Sequence, residues 1–141
     1  GAFIPYWNKN VYASFVEWAH WYWKGAVHIS DVLQTVVKSI QKLKAGPIPN
    51  IPTLYVDGKY EYTNADLLNW EKNTPGSIFK KYYQDYADVA EKYGLGPTVK
   101  PTVFDIGPTK EFLAYEPTYS FMNLLQELAE FGPGGPPEPN F

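Results

Sequence analysis

Acidic residues at helical spacing are the side chains of this chain that could do acid–base chemistry. Asp85, Asp88 and Glu91 follow one another at intervals of three, and Glu127 and Glu130 repeat that interval. A general acid or base needs a neighbour or a pocket that shifts its proton affinity, and neither group has a histidine beside it. We interpret both groups as solvated helix faces, and we expect no enzymatic activity.

Other kinds of catalytic or metal chemistry find little support in the residue types. The chain has no Cys and two His, His20 and His28, which lie eight positions apart across Gly25. This excludes disulfides, cysteine zinc sites and thiol nucleophiles, and it leaves too few histidines for a metal cluster. No phosphate-binding loop, dinucleotide fingerprint or Ser/His/Asp arrangement occurs. We therefore expect no metal and no cofactor.

A helix is predicted from Ser30 to Lys44, with one apolar stripe and one polar face without acidic residues. The stripe repeats at spacings of three and four and comprises Val32, Val36, Ile40 and Leu43. The polar face comprises Gln34, Thr35, Lys38, Gln41, Lys42 and Lys44. Lysine, threonine and glutamine all donate hydrogen bonds to phosphate oxygens, so this face could lie along a nucleic-acid backbone. Taken alone, this segment favours the simpler interpretation of a solvated helix face.

The type of basic residue limits how nucleic acid could be recognised. All twelve basic residues are Lys, and bidentate contacts to guanine or phosphate depend on Arg. Residues 1–60 hold six Lys against three acids, a balance of +3, while residues 61–141 hold six Lys against twelve acids, a balance of −6. The first part could meet a polyanion, which the second part would repel. No apolar run is long enough to span a membrane.

Aromatic side chains crowd the first predicted helix, Asn10–Trp23, which Gly25 ends. One stripe of this helix consists of Val11, Phe15, Trp18 and Tyr22, and Trp21 and Trp23 project on either side of it. With His20 and His28, such a cluster could form a ligand cage or a base-stacking platform. The simpler interpretation is an aromatic core or an interface between subunits, and clustered rings on one helix suit the interface. We favour the interface and assign Trp18, Trp21, Trp23 and the terminal Phe141 to it.

The rest of the chain predicts further helices and one β-hairpin. Asp57-Gly58 between β-branched and aromatic residues is typical of a two-residue type I′ turn, so Thr53–Val56 and Lys59–Tyr62 are predicted to pair. Asp66 lies near the third position of the next helix and predicts a capping box. The predicted helices run from Thr63 or Asn64 through Trp70, from Ser77 to Tyr93, from Thr109 to Tyr115 and from Pro117 to Phe131.

These elements predict a mainly α protein, with an N-terminal helix–turn–helix arm, a small helical bundle and one β-hairpin. We divide the chain into the arm at 1–46, a Pro-rich linker with the hairpin at 47–62, the helical domain at 63–131 and an extended Pro/Gly tail at 132–141. Because Gly and Pro at this density form neither helix nor strand, we expect another subunit to hold the tail.

Ile51–Tyr60 resembles the strand that follows the cis-proline of thioredoxin-like proteins, where a proline precedes a hairpin ending in Gly-Lys. That likeness covers about ten residues, and the chain lacks the Cys-x-x-Cys motif and the strand–helix–strand unit of that family. The simpler interpretation is an ordinary hairpin behind a Pro-rich linker. A small enzyme or redox relic remains the third alternative for function.

The organisation of the chain resembles the major capsid proteins of filamentous archaeal viruses. The matching stretches are Asn10–Trp23, Ser30–Lys44 and Thr63–Phe131. The resemblance implies a virion subunit whose N-terminal helices wrap double-stranded DNA and whose C-terminal domain packs the filament wall. It also implies partners, namely other copies of the chain and a related, more basic capsid protein. The alternative is a secreted or cell-surface subunit of a filament or complex without nucleic acid.

Overall fold

The computed structural model describes residues 23–72, 75–95 and 98–132. Within them lie six α-helices and one short 3-10 segment, Gln84–Tyr86. The helices are α1 Ile29–Ala45, α2 Asn64–Lys72, α3 Ser77–Tyr82, α4 Ala87–Lys92, α5 Gly107–Leu113 and α6 Phe121–Phe131. The predicted mainly helical architecture is confirmed. The first predicted helix, apart from Trp23, and the tail after Gly132 lie outside the described residues.

The main core forms where α2, α3, α4 and α6 converge. Trp23, which is 1% exposed, sits among Phe79, Tyr83 and Phe121. Its ring centroid lies 4.3 Å from that of Phe121 and 5.6 Å from that of Tyr83. Close, tilted ring packing of this kind adds to the stabilisation from buried area. The segment that precedes α1 is therefore fixed to the centre of the helical domain.

The capping box predicted at the start of α2 is present. The Thr63 hydroxyl accepts from the Asp66 amide at 3.3 Å, and the Asp66 carboxylate accepts from the Thr63 amide at 2.8 Å. The same carboxylate forms an ion pair with the Lys81 ammonium at 2.6 Å and accepts a hydrogen bond from the Tyr82 hydroxyl at 2.8 Å. Although burial acts to raise the pKa of Asp66, these hydrogen bonds hold it well below its usual range. One side chain thus caps α2 and joins it to α3.

The helix predicted from Ser77 to Tyr93 is broken in the structure. Helical geometry is interrupted at Tyr83, with φ −128° and ψ 13°, and again at Tyr86, with φ −112° and ψ 21°. The Tyr83 ring is fully buried against Trp23, and its hydroxyl donates to Glu61 at 2.7 Å. Packing across the core thus sets a break that the continuous 3.6-residue periodicity does not reveal.

The predicted β-hairpin at Thr53–Tyr62 is wrong. Gly58 lacks the positive φ of a type I′ turn, and the Lys59 amide donates instead to the Tyr119 carbonyl at 2.7 Å. The Tyr55 and Asp57 carbonyls accept from the hydroxyls of Thr109 and Tyr115 at 2.5 Å and 2.7 Å. Because residues 109–120 form the hydrogen bonds with these backbone groups, Thr53–Val56 and Lys59–Tyr62 do not pair with each other. Among the described residues, a lone bridge between Lys59 and Ser120 represents β-structure.

Gly58 is required here by close approach of other backbone. A Cβ at this position would lie 2.8 Å from the Ala26 carbonyl oxygen and 2.9 Å from that of Tyr119. Neither backbone atom can rotate away as a side chain could. Gly58 therefore lies where its own segment crosses two others, one containing Ala26 and one containing Tyr119. No sheet surrounds Pro52 in the described part of the chain, so the local likeness to thioredoxin-like proteins does not extend to their fold.

Candidate association surface on helix α1

Helix α1 is attached to the rest of the chain by its polar side. Asp31 is fully buried, and its carboxylate accepts from the Thr118 amide at 3.0 Å, the Thr118 hydroxyl at 2.8 Å and the Tyr119 amide at 3.0 Å. One turn later, the Gln34 amide group donates to the Glu116 carbonyl and accepts from the Glu116 amide, both at 2.9 Å. These bonds satisfy backbone groups of a segment that is neither helix nor strand.

The predicted phosphate-binding face continues this attachment. Thr35 is 6% exposed and donates to the Val32 carbonyl at 2.7 Å. The Lys38 ammonium donates to the Ala114 carbonyl, and the Lys42 ammonium lies 4.3 Å from the centroid of the Phe112 ring. Gln34 and Lys38 therefore face the protein's own 114–116 segment, and Thr35 is buried. Six residues of α1 were predicted to contact a nucleic-acid backbone, and three of them are exposed: Gln41, Lys42 and Lys44.

The apolar side of α1 faces outward. Five aliphatic residues follow one another at spacings of four, three, four and three, and each is about half exposed: Ile29 63%, Leu33 55%, Val36 48%, Ile40 48% and Leu43 56%. We call these five residues the aliphatic seam. Val37, at 51%, lies beside it. Exposed apolar residues are ordinary when they are scattered singly, but a continuous row along four helical turns is a candidate association surface.

Of the aromatic residues assigned to a subunit interface, Trp23 lies within the described part of the chain. Trp23 lies in the core of its own chain, where its indole N–H donates to the Leu95 carbonyl at 2.7 Å. Its assignment to an interface is therefore corrected. Trp18, Trp21 and Phe141 lie outside the described residues. His28 stacks on Tyr119 with 3.7 Å between ring centroids, and its Nδ1 accepts from the Ser30 amide at the start of α1.

A buried cluster around Asp57 is the strongest candidate for acid–base chemistry in the described chain. Burial raises the pKa of Asp57, which accepts from the Tyr60 hydroxyl and from the Gly58 amide at 2.8 Å. Burial also raises the pKa of Tyr115 to about 12, and its hydroxyl donates to the Asp57 carbonyl. These hydrogen bonds stabilise the place where chain segments cross at Gly58. We assign the cluster a structural role.

The described residues also form a groove and several groups of acidic side chains. A groove of about 480 Å³ lies between α3 and α4, and Lys80 and Glu91 are the charged residues of its lining. Across 23–72, 75–95 and 98–132, no cluster of His, Cys, Asp and Glu could hold a metal ion. Asp85, Asp88, Glu91 and Glu130 are exposed and Glu127 is half-buried. The aliphatic seam is therefore the feature that needs a functional explanation.

In the same described ranges, no helix is long and apolar enough to cross a lipid bilayer. Comparison of the chain with protein-family models, with curated proteins and with solved structures gives no match.

Proposed function

We propose that the protein is a structural subunit of an extended, filamentous assembly. The observation that carries the proposal is the aliphatic seam, which α1 turns away from its own domain. Polar contacts through Asp31 and Gln34 fix the helix in this orientation, so a partner must cover the seam if it is to leave water. Covering exposed aliphatic surface is the main driving force of protein association.

The size of the seam suits a contact that is repeated many times. Burying a half-exposed Val, Leu or Ile contributes about 1 kcal/mol, so two such seams together supply about 10 kcal/mol. Bringing two proteins together costs on the order of 4–15 kcal/mol in lost freedom of motion. One pair of seams is therefore close to balance, and stable association needs further contacts. Such contacts are available in a filament, where each subunit has several neighbours.

We predict that a charge in the seam abolishes assembly without unfolding the subunit. Leu33→Glu and Ile40→Glu place a carboxylate at half-exposed positions, so the isolated chain keeps its fold while the pairing surface loses its apolar character. Sedimentation velocity of the full chain should then show a shift from large species to the monomer. Leu68→Glu is the matched control, because Leu68 is 59% exposed on α2, away from the seam. Unchanged assembly of the Leu33→Glu variant contradicts the proposal.

Within this proposal, the assembly is a filamentous virion around double-stranded DNA, as the resemblance to archaeal capsid proteins implies. Three exposed polar residues of α1, Gln41, Lys42 and Lys44, support a contact with the DNA backbone. None of the three has an acidic partner among the described residues. Because residues 61–141 carry a balance of −6, a related and more basic capsid protein is the proposed second component. A secreted or cell-surface filament without DNA remains the alternative.

Salt dependence separates these two versions of the assembly. Each lysine that neutralises one phosphate contributes about −0.9 to the slope of log K against log salt, so Lys42→Ala with Lys44→Ala should flatten the slope by roughly 2 units. Affinity for different DNA sequences should fall uniformly, because backbone contacts carry no sequence information. The measurement is a fluorescence-anisotropy titration of the assembled protein with duplex DNA. Assembly that neither binds DNA nor responds to this substitution favours the filament without nucleic acid.

A further inference from the structure

We infer that the crossing of chain segments at Gly58 is a pH-sensitive junction, which becomes tighter when Asp57 takes up a proton in mild acid. The crossing joins the segment that leads into α1 to the rest of the fold. We call it the Gly58 junction, and it consists of Ala26, residues 57–60, Tyr115 and Tyr119. The inference is independent of the proposed function, because it concerns how a single chain is held together.

The carboxylate of Asp57 lies out of water and has uncharged partners. Asp57 is 3% exposed, and its Oδ1 accepts from the Gly58 amide at 2.8 Å while its Oδ2 accepts from the Tyr60 hydroxyl. Gly25 packs against the same group, since a Cβ there would lie 3.1 Å from Oδ2. A buried charge is costly unless a charged partner or several hydrogen bonds replace its water. In the described part of the chain, no lysine is among the partners of this carboxylate.

The ionisable side chains closest to Asp57 add no positive charge. Tyr60 and Tyr62 belong to its own segment, and Tyr115 donates to its carbonyl at 2.7 Å. These phenols are neutral wherever an aspartate titrates. Asp31, which is fully buried, acts together with Asp57 to raise the pKa of Tyr115, so a second carboxylate lies on the other side of that ring's hydroxyl. The neighbourhood of Asp57 is therefore unfavourable to its negative charge.

The other charged side chains of the surrounding segments are solvated or engaged elsewhere. Glu61 accepts from the Tyr83 hydroxyl at 2.7 Å. The remaining charged residues of the segments that meet at the junction are all exposed: Lys24, Lys59, Asp105, Lys110, Glu111 and Glu116. Water and salt screen charges of this kind. A change in the charge of Asp57 is therefore not compensated by a buried partner.

The direction of the pH response follows from the cost of this charge. Burial raises the pKa of Asp57, and the hydrogen bonds from Tyr60 and Gly58 offset part of the rise. The folded chain thus holds a proton on Asp57 at a pH where the unfolded chain has lost it. Stability rises as the pH falls through the pKa of the folded chain, and the gain is complete below the ordinary aspartate pKa of about 4.

The geometry of the junction accepts the proton without losing a contact. The Tyr60 hydroxyl accepts from the Phe104 amide at 3.2 Å, and its oxygen has room to accept a second hydrogen bond. A protonated Oδ2 of Asp57 therefore donates to Tyr60, while Oδ1 keeps its bond from the Gly58 amide. The buried charge disappears and both contacts remain. Because Asp31 holds the Tyr119 amide next to the junction, a tighter junction also fixes the start of α1.

Hydrogen exchange of the Lys59 amide in the full chain tests this inference, because that amide donates to the Tyr119 carbonyl at 2.7 Å inside the junction. We expect its protection factor, corrected for the intrinsic rate at each pH, to rise as the pH is lowered from about 7 to about 4. The rise should be tenfold for each pH unit that separates the pKa values of the folded and unfolded chain. Asp57→Asn should abolish this dependence.

Asp66→Asn is the matched control, because Asp66 is a buried aspartate whose pKa is shifted in the opposite direction. This variant should keep the full rise at the Lys59 amide. Tyr60→Phe is a second variant of the junction. It removes a hydrogen bond that lowers the pKa of Asp57, so the rise should begin at a higher pH than in the unmodified chain.

Three results overturn the inference. The first is a protection factor at Lys59 that stays constant or falls as the pH is lowered. The second is a rise that persists in Asp57→Asn, which would assign it to another group, such as Asp31. The third is a Tyr60→Phe variant whose rise begins at the same or a lower pH. The last of these results is decisive even if Asp57→Asn does not fold.

Discussion

Replacing Trp23 with alanine should destabilise the fold by about 3–5 kcal/mol, which is the range for removing a large buried aromatic side chain. Trp23 is 1% exposed and lies among the rings of Phe79, Tyr83 and Phe121, so its loss leaves a cavity that these neighbours cannot fill without moving. The Leu95 carbonyl would also lose the indole N–H that now lies 2.7 Å away. Such a loss is a large part of the stability of an ordinary domain.

Urea unfolding followed by far-UV circular dichroism measures this effect, at a concentration where the subunit is monomeric. Trp23→Phe should be destabilised less, because it keeps much of the ring and loses the hydrogen bond. Leu68→Ala, at an exposed position of α2, should shift stability by less than about 0.5 kcal/mol. A Trp23→Ala variant as stable as this control would show that the ring lies outside the core.

Replacing Asp31 with alanine should cost about 3 kcal/mol or more, because each hydrogen bond to a charged group contributes about 1.5–3 kcal/mol. The Thr118 and Tyr119 amides both depend on this carboxylate, and Asp31 itself is fully buried. The loss falls at the attachment of α1, so the helix should loosen from the 112–119 segment before the main core unfolds. Amide hydrogen exchange should report that order.

Asp85→Ala is the matched control for this substitution, since Asp85 is an exposed aspartate near a helical start. It should change stability by less than about 0.5 kcal/mol. Asp31→Asn should lie between the two, because an amide supplies one acceptor oxygen where the carboxylate supplies two. If Asp31→Ala left the exchange rates of α1 unchanged, the attachment of the helix would depend on Gln34 and Lys38 instead.

Local sequence signals predicted the positions of the helices better than they predicted how the helices pack. Helix α1 was expected at Ser30–Lys44 and lies at Ile29–Ala45, and the Thr63–Asp66 capping box is present. Both follow from interactions within a few residues. The hairpin prediction was wrong because Asp-Gly also suits a place where chain segments cross closely. Residues 109–120 supply the hydrogen bonds there, and no local pattern reveals them.

The direction of α1 was the harder part of the site to predict. An apolar stripe normally faces the core, so the polar face carrying Lys38 was placed outward, toward phosphate. The structure turns part of this face inward, because Asp31 and Gln34 bind backbone groups of Thr118 and Glu116, which lie more than 80 residues away. The part with Gln41, Lys42 and Lys44 remains exposed. The signal available in the sequence was the full 4-3-4-3 spacing from Ile29 to Leu43, which is typical of helix pairing.

The outward seam gives the proposed assembly an unusual response to solution conditions. Association through aliphatic surface weakens on cooling and strengthens in sulfate, whereas lysine contacts with phosphate weaken as salt rises. The two kinds of contact proposed for α1 therefore respond to salt in opposite directions. In the proposed virion, we expect the subunits to stay apart in the cold at low salt, where the proposed lysine contacts with DNA are strongest, and to close around the DNA on warming.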